Sequence, residues 1–144
     1  PRTSSAASDV YKRQVIDKMG KILNKSDLIN IQNKKEYESL LATIDKRGLN
    51  LNVEVRCEGH TDDAKLPKSS IYPSNWELSS ARSLNLVKIM NKNALMPEKY
   101  FSAMGYGEFR PVVDIEPTLS YSEKLEARAE NRRVEIYLDA FITN

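Results

Sequence analysis

The clearest pattern in the chain is a strict alternation of apolar and polar side chains over residues 51–58. One face carries Leu51, Val53, Val55 and Cys57, and the other carries Asn52, Glu54, Arg56 and Glu58. Because successive side chains of a strand point to opposite faces, this pattern predicts a strand with one buried face. On that interpretation Cys57 is a small core residue rather than a nucleophile, since no basic or metal-binding side chain shares its face.

Apolar residues at helical spacing predict helices on both sides of this strand. The predicted helices cover residues 15–23, 34–46, 74–90 and 122–130. The third begins with a capping-box sequence, in which the Ser74 hydroxyl accepts from the Glu77 amide and the Glu77 carboxylate reaches back. Ser79 and Ser83 lie on the inward stripe of this helix, and such small side chains indicate a close approach to a sheet.

Further strands are predicted over residues 100–104 and 132–138, with a short one over 28–31. In the last long strand Arg132 has the same parity as Val134 and Ile136, which places its side chain on the core-facing side. Strands that alternate with helices indicate an α/β fold, here an α+β sandwich with helices packed on a mixed sheet.

The charge of the chain argues against a nucleic-acid partner. Lys and Arg number 22 against 20 Asp and Glu, and residues 1–14 carry three of the former and one of the latter. Taking three from 22 and one from 20 leaves 19 basic and 19 acidic residues, so the body of the chain is neutral. No polybasic surface for nucleic acid is indicated.

Residues 1–14 are rich in Ser and Ala without an apolar period, and we expect a non-native or disordered tail there.

The composition also excludes a membrane-spanning helix and an internal disulfide framework within this sequence. No apolar run approaches the roughly 20 residues that a membrane-spanning helix requires. Cys57 is the only cysteine, so an internal disulfide framework is impossible. An unpaired buried thiol is compatible with either a reducing or an oxidising compartment, so composition leaves the location open.

Charged residues at three places in the sequence are predicted to lie close to buried surface, so exposure to solvent alone does not explain them. Asp62 and Asp63 follow the end of the buried strand, Arg82 lies beside the small-residue stripe of the third helix, and Arg132 faces the core. A charge at the margin of a buried face needs a partner. We interpret these features as one acid and two guanidinium groups around one edge of the domain. The alternatives are a solvated turn for the acids, an internal salt bridge for Arg82, and a structural bond from Arg132 to a helix C-terminus or to a carboxylate of residues 59–63.

An enzyme is the rival class of function. Glu58, His60, Asp62 and Asp63 are residue types that bind zinc or manganese. However, His60 is the only histidine, no second ligand cluster follows at a recognisable spacing, and no nucleophile and base pair is present. We therefore expect no catalysis, no metal and no cofactor, and we interpret His60 as a residue that braces the loop by hydrogen bonding.

Four blocks of sequence resemble the OmpA-like peptidoglycan-binding domain. They are residues 58–63 (EGHTDD), 74–82 (SNWELSSAR), 105–111 (GYGEFRP) and 128–136 (RAENRRVEI). The doubled aspartate and the long loop that ends at residues 72–79 are most similar to the flagellar stator branch of this family. The predicted organisation is a tail at 1–14, an N-terminal helical segment at 15–50 and an OmpA-like domain at 51–140. Members usually carry a strand and a helix before the strand at 51–58, where this chain has two helical patterns.

The resemblance implies a βαβαβ-type domain that binds the stem peptide of the bacterial wall, chiefly its diaminopimelate residue. By position, Asp62 would hold the free ammonium group, while Arg82 and Arg132 would take carboxylates. The same groove would be lined by Thr61, Asn75 and Leu78. The charges fit this assignment, because a zwitterionic ligand requires an anion together with guanidinium groups that bind carboxylates bidentately.

The resemblance also implies partners and a location. Peptidoglycan is the ligand, stator proteins of this type act as homodimers, and a membrane-embedded stator partner would be reached through an N-terminal segment outside the sequence shown. The implied location is the periplasm, in a bacterial protein anchored in the inner membrane. An outer-membrane protein, a lipoprotein or a secretion-system component is the alternative owner of the same domain.

Overall fold

The computed structural model describes residues 2–94 and 96–144, with side chains described from residue 10 onward except those of 93 and 94. The helices are α1 Arg2–Asn24, α2 Glu38–Lys46, α3 Asn75–Ala94 and α4 Tyr121–Asn131. The strands are β1 Asn50–His60, β2 Phe101–Gly105 and β3 Arg133–Thr143. Short 3₁₀ helices lie at Ile31–Asn33, Lys35–Tyr37 and Glu98–Tyr100.

The order β1-α3-β2-α4-β3 is the βαβαβ arrangement, so the predicted fold class is confirmed. The strands form one sheet in the order β2-β1-β3, with β1 in the middle. The central position suits the sequence, because β1 is the strand with the clearest apolar alternation. Before β1, residues 2–49 form helices and turns in the structure, as the two helical patterns predicted.

The chain divides into two compact units. The first contains the described residues of 2–55, 87–101 and 137–144, and the second contains residues 56–86 and 102–136. In the first unit the buried apolar residues are Ile29, Ile31, Val55, Met90 and Met96. A hydrogen bond from Asn52 Nδ2 to Thr143 Oγ1, 2.9 Å long, joins the outer ends of β1 and β3 in that unit.

The second unit places the start of α3 directly against the end of β1. A Cβ atom added to Gly59 would lie 2.0 Å from the backbone oxygen of Ser79, and one added to Gly105 would lie 2.2 Å from Ser80 Oγ. Ser79 and Ser83 are fully buried. The serine stripe therefore marks a close approach of helix to sheet, which confirms that prediction and explains why residues 59 and 105 lack a side chain.

The predicted strand at residues 28–31 is wrong. This segment is a turn that leads into the first 3₁₀ helix. Local bonds rather than a neighbouring strand satisfy its backbone: the Asn30 amide donates to the Ser26 carbonyl at 3.2 Å, and the Ile31 amide donates to the Leu28 carbonyl at 3.4 Å. Asn30 Nδ2 donates to the carbonyls of Asn24 and Ser26, at 2.8 and 2.9 Å, and the Ile29 amide donates to Ser26 Oγ. Local bonds of this kind compete with strand pairing, which the apolar run alone did not reveal.

Two helix starts also differ from expectation. Helix α1 begins at Arg2 instead of residue 15, and whether residues 1–14 belong to the native protein stays a prediction. At α3 the Ser74 hydroxyl accepts from the Trp76 amide at 3.2 Å and donates to the Glu77 carboxylate, so the cap uses different partners from those of a capping box. None of the helices in the described part of the chain is long and apolar enough to cross a bilayer.

The contact between α3 and β1 predicts the effect of Gly59→Ala. The added methyl group would meet backbone atoms of Ser79, so the helix or the strand must shift. Overpacking of this kind costs about 1–3 kcal/mol, and we expect the upper end because backbone atoms cannot rotate away. The change in the free energy of unfolding is measured by urea denaturation.

Gly48→Ala is the matched control for this substitution. Gly48 has φ +68° and no atom within 4 Å of the added Cβ, so this variant reports backbone strain alone, roughly 1–2 kcal/mol. An unchanged urea midpoint for Gly59→Ala would contradict the close approach.

Candidate functional site

The site is built on the loop that leaves β1, and that loop is held by the glycine turn after β2. The Thr61 amide donates to the Gly107 carbonyl at 2.9 Å, and the Tyr106 amide donates to the Gly59 carbonyl at 3.0 Å. The Gly107 amide in turn donates to Ser79 Oγ at 2.9 Å. Gly107 has φ +58°, a conformation that glycine adopts without strain. The backbone at Thr61 is therefore fixed by both the turn and α3.

Asp62 is the acid at the centre of this loop, and it is only 9% exposed. Its Oδ1 accepts from the Ala64 amide at 2.9 Å, and its Oδ2 lies 2.6 Å from Arg132 Nη1. A buried carboxylate requires such partners because an unpaired charge is costly to desolvate. The structure therefore brings together two of the three charged residues that the sequence placed at one edge.

The predicted orientation of Arg132 is wrong. The residue is the C-cap of α4, with its amide donating to the Arg128 carbonyl, and β3 begins only at Arg133. Its side chain is 45% exposed instead of facing the core. The prediction started the strand at Arg132, one residue before its true start, because no loop separates α4 from β3. The alternation of strand side chains therefore does not apply to Arg132. The bond to a carboxylate of residues 59–63, one of the structural alternatives, is the one that forms.

Asn75 connects the start of α3 to the same loop. Its Nδ2 lies 3.4 Å from the Asp62 carbonyl oxygen, 3.2 Å from that of Ala64 and 2.8 Å from Glu108 Oε2. Glu108 was not among the predicted site residues, and nothing marks it in the sequence except its place after the glycine turn. The amide group of Asn75 therefore holds the backbone that carries Asp62.

Leu78 and Arg82 follow Asn75 by three and seven residues, so all three lie on one face of α3. Both side chains are half-buried. Arg82 has no hydrogen bond or ion pair with any described residue of 2–94 and 96–144, so the internal salt bridge considered as its alternative is not formed there. The helix face that begins at Asn75 thus carries a guanidinium group that is unpaired within the described part of the chain.

The two neighbouring aspartates have different partners. Asp63 receives two bonds from Arg128, from Nε to Oδ1 at 2.6 Å and from Nη2 to Oδ2 at 3.3 Å. This bidentate bond holds the pKa of Asp63 below its ordinary value, and it raises the pKa of Arg128. Asp63 is therefore bonded to α4, whereas the only ion pair of Asp62 among the described residues is the one with Arg132.

His60 does not brace the loop by hydrogen bonding, so that expectation is wrong. It is 1% exposed, and neither ring nitrogen has a hydrogen-bond partner among the described residues. Its ring stacks on Tyr106, with centroids 5.2 Å apart. Burial lowers the pKa of His60, and Arg133 lowers it further against the opposing effect of two glutamates. Burial and Arg133 thus favour the neutral form of the imidazole.

A family comparison now identifies the domain. The OmpA family model matches residues 23–132. The chain belongs to the OmpA family. The resemblance drawn from four sequence blocks is thereby confirmed, and the match begins well before residue 51, within α1.

Two curated relatives come from Bacillus subtilis. Motility protein B is 32% identical over 130 residues, which cover 82% of this chain and 47% of that protein. The uncharacterized protein YtxE is 36% identical over 104 residues, which cover 72% of this chain and 40% of that protein. The chain therefore spans less than half the length of each of these relatives.

Solved structures agree with the fold. The periplasmic domain of Helicobacter pylori MotB has a TM-score of 0.58 at 25% identity, over 88% of this chain and 65% of that one. Another crystal structure of a periplasmic domain of MotB has a TM-score of 0.59 at 22% identity, over 90% of this chain and 51% of that one. The OmpA-family chain thus has the fold of MotB periplasmic domains.

The bond between Asp63 and Arg128 predicts a pH dependence. Because the pKa of Asp63 is lowered in the folded protein, the bond stabilises the fold above the ordinary pKa of 3.8. That contribution is lost as the pH falls through the lowered value. Arg128→Gln should move the titration of the Asp63 carboxyl carbon upward, toward the ordinary pKa, in a carbon-13 NMR titration.

Lys124→Gln is the control, since Lys124 makes the smallest contribution to the lowered pKa of Asp63. It should leave the titration nearly unchanged. Equal titrations of Asp63 in the parent and in Arg128→Gln would show that the bidentate bond is not formed in solution.

Proposed function

We propose that this OmpA-family domain binds peptidoglycan without catalysis, through the diaminopimelate residue of the stem peptide. The observation that carries the proposal is the ion pair between the buried Asp62 and the exposed Arg132. Arg82, on the face of α3 that begins at Asn75, adds a guanidinium group that has no hydrogen bond or ion pair with any described residue. Family membership supports the same ligand, because the matched residues include all of the positions named for the clamp.

The ligand would enter by exchanging partners with an existing ion pair. Asp62 Oδ2 and Arg132 Nη1 are 2.6 Å apart, and Arg132 reaches solvent. An ammonium group of the ligand replaces the guanidinium at Asp62, while a carboxylate of the same ligand occupies Arg132. Each buried charge keeps an opposite charge throughout, so the exchange avoids the large cost of an unpaired buried ion.

A second carboxylate would bind Arg82. Diaminopimelate carries two carboxylates and two amino groups, so a second guanidinium group distinguishes it from a residue with one carboxylate. Thr61, Asn75 and Leu78 line the groove in this proposal. Asn75 and Thr61 fix the loop through their bonds to backbone and to Glu108, and Leu78 offers an apolar contact to the methylene chain.

The absence of catalysis is part of the proposal. The site pairs acids with arginines, and it contains no hydroxyl or thiol activated by a neighbouring base. The only thiol, Cys57, is buried, and burial raises its pKa to about 11. A neutral buried thiol is a poor nucleophile at physiological pH.

The similarity to Motility protein B supports a flagellar stator as the complex that the domain anchors. In that role the domain lies in the periplasm and belongs to a protein anchored in the inner membrane. It acts as a homodimer, and a preceding segment connects it to a membrane-embedded stator partner. The alternative owner is an outer-membrane protein, a lipoprotein or a secretion-system component. The native sequence upstream distinguishes them, because a stator subunit has a membrane-spanning helix there and a lipoprotein has a signal ending in cysteine.

Sedimentation with purified peptidoglycan tests the clamp. Asp62→Asn and Arg82→Gln should each weaken binding more than tenfold, since charge-assisted hydrogen bonds contribute on the order of 1.5–3 kcal/mol each. Free diaminopimelate should compete for the parent protein better than lysine, which has one carboxylate fewer.

Asp63→Asn is the matched control, because it removes the neighbouring carboxylate without touching the proposed clamp. Circular dichroism verifies that every variant is folded. If the folded Asp62 and Arg82 variants sediment with the wall as well as the parent does, the clamp assignment is wrong.

A further inference from the structure

A second group of polar residues lies on the strand face that carries the even-numbered side chains at the end of β1. Glu58 and His60 are two residues apart on β1, and Glu135 is on the adjacent strand β3. His60 Nε2 lies 3.9 Å from Glu58 Oε2 and 3.6 Å from Glu135 Oε2. One nitrogen and two carboxylate oxygens thus lie within 4.8 Å of one another.

The histidine in this group is an unusual buried polar residue. Its side chain is almost fully inaccessible, and Nε2 points between the two carboxylates without a hydrogen bond to any described residue. Buried polar atoms are nearly always paired, so an unpaired one requires an explanation. The ring of Tyr106 covers His60 at an angle of 13°, and the Arg110 guanidinium lies 3.9 Å from the centre of the Tyr106 ring.

Both carboxylates accept hydrogen bonds from groups outside the cluster. Glu58 Oε1 accepts from Arg56 Nε at 2.8 Å and from the Tyr106 hydroxyl at 3.3 Å. Glu135 Oε1 accepts from Arg133 Nε at 2.8 Å. In each case Oε2 is the oxygen turned toward His60. Outer partners that orient ligand groups in this way are typical of metal sites.

We propose that Glu58, His60 and Glu135 bind one divalent transition-metal ion, with zinc as the best match. A neutral imidazole nitrogen with two carboxylate oxygens is a ligand set that zinc accepts, and a water molecule completes a tetrahedron. Bonds of about 2.0–2.2 Å at tetrahedral angles place ligand atoms about 3.4 Å apart. The two distances from nitrogen to oxygen, 3.6 and 3.9 Å, need a contraction of a few tenths of an ångström. The two carboxylate oxygens, which lie within 4.8 Å of each other, must also approach to about 3.4 Å.

The surroundings set the expected strength and role of this site. The charges of Arg56 and Arg133 oppose a cation, and no described residue accepts a hydrogen bond from Nδ1 of His60 to orient the ring. Binding is therefore weaker than at a structural zinc finger. The Glu135 side chain is 29% exposed, which gives the ion a route from solvent. A metal ion here ties β1 to β3 and is separate from the proposed wall-binding clamp.

Calorimetric titration of the metal-stripped chain with zinc chloride tests the proposal. We expect one zinc ion per chain in the parent and at least tenfold weaker binding in Glu135→Gln. Cobalt(II) should give visible absorption bands typical of low-coordinate cobalt in the parent and not in that variant. Glu54→Gln is the matched control, because Glu54 has the same parity on β1 and lies outside the cluster.

Thermal unfolding adds a readout that does not depend on a His60 variant, which risks losing the fold. Zinc should raise the midpoint of the parent and of Glu54→Gln, and it should leave that of Glu135→Gln unchanged, since an ion that binds only the folded state stabilises it. The proposal is overturned if zinc fails to bind the parent, or if Glu135→Gln binds it equally well. A hydrogen bond between His60 and Glu135 would then account for the buried imidazole.

Discussion

The close contact between the backbone of α3 and the end of β1 is the constraint on which the site depends. No side chain fits at residue 59, because the Ser79 carbonyl occupies the space where a Cβ would lie. Ser79 also accepts a hydrogen bond from the glycine turn after β2 through its hydroxyl. One serine therefore fixes the positions of a helix, a strand end and a turn. The polar groups around Asp62 are carried by these three pieces of backbone.

That constraint explains why two adjacent aspartates differ. Asp62 is turned inward, where the loop amide of Ala64 and one guanidinium group satisfy it, whereas Asp63 is turned toward α4 and is held by two bonds from Arg128. A bidentate bond is harder to exchange than a single one. In the proposed clamp, Asp62 is therefore the acid whose partner a ligand would replace at lower cost, although it is the more buried of the two.

The sequence was sufficient for most of the helices and strands, and it placed Asp62 and Arg132 at one edge, where the structure pairs them. The alternation over 51–58 is a local signal, and so are the serines at 79 and 83, which indicated the tight packing of α3. The wrong predictions concerned residues at the boundary of a helix or strand, or residues whose surroundings come from distant parts of the sequence. Arg132 was assigned to the core because no loop separates α4 from β3, and a shift of one residue reverses the direction of a side chain.

The cluster around His60 shows the second kind of failure. Glu58 was assigned to the face opposite the core, yet both Glu58 and His60 are buried. Their cover comes from Tyr106, which lies in a turn 46 residues after His60 in the sequence. Glu135 lies near them only because β3 pairs with β1. The order of strands in a sheet cannot be predicted from the apolar pattern of any single strand. A search for metal ligands at short spacing could not find this group.

The unequal exposure of Asp62 and Arg132 has a consequence for ligand selection. A ligand with only an amino group would take Asp62 and release Arg132, whose half-exposed guanidinium group is readily solvated. A ligand with only a carboxylate would take Arg132 and leave Asp62 buried without a counter-ion, which costs several kcal/mol. In the proposed clamp the pair would therefore reject simple anions more strongly than simple cations. A zwitterion avoids both costs, so the geometry favours a ligand that brings its two charges together.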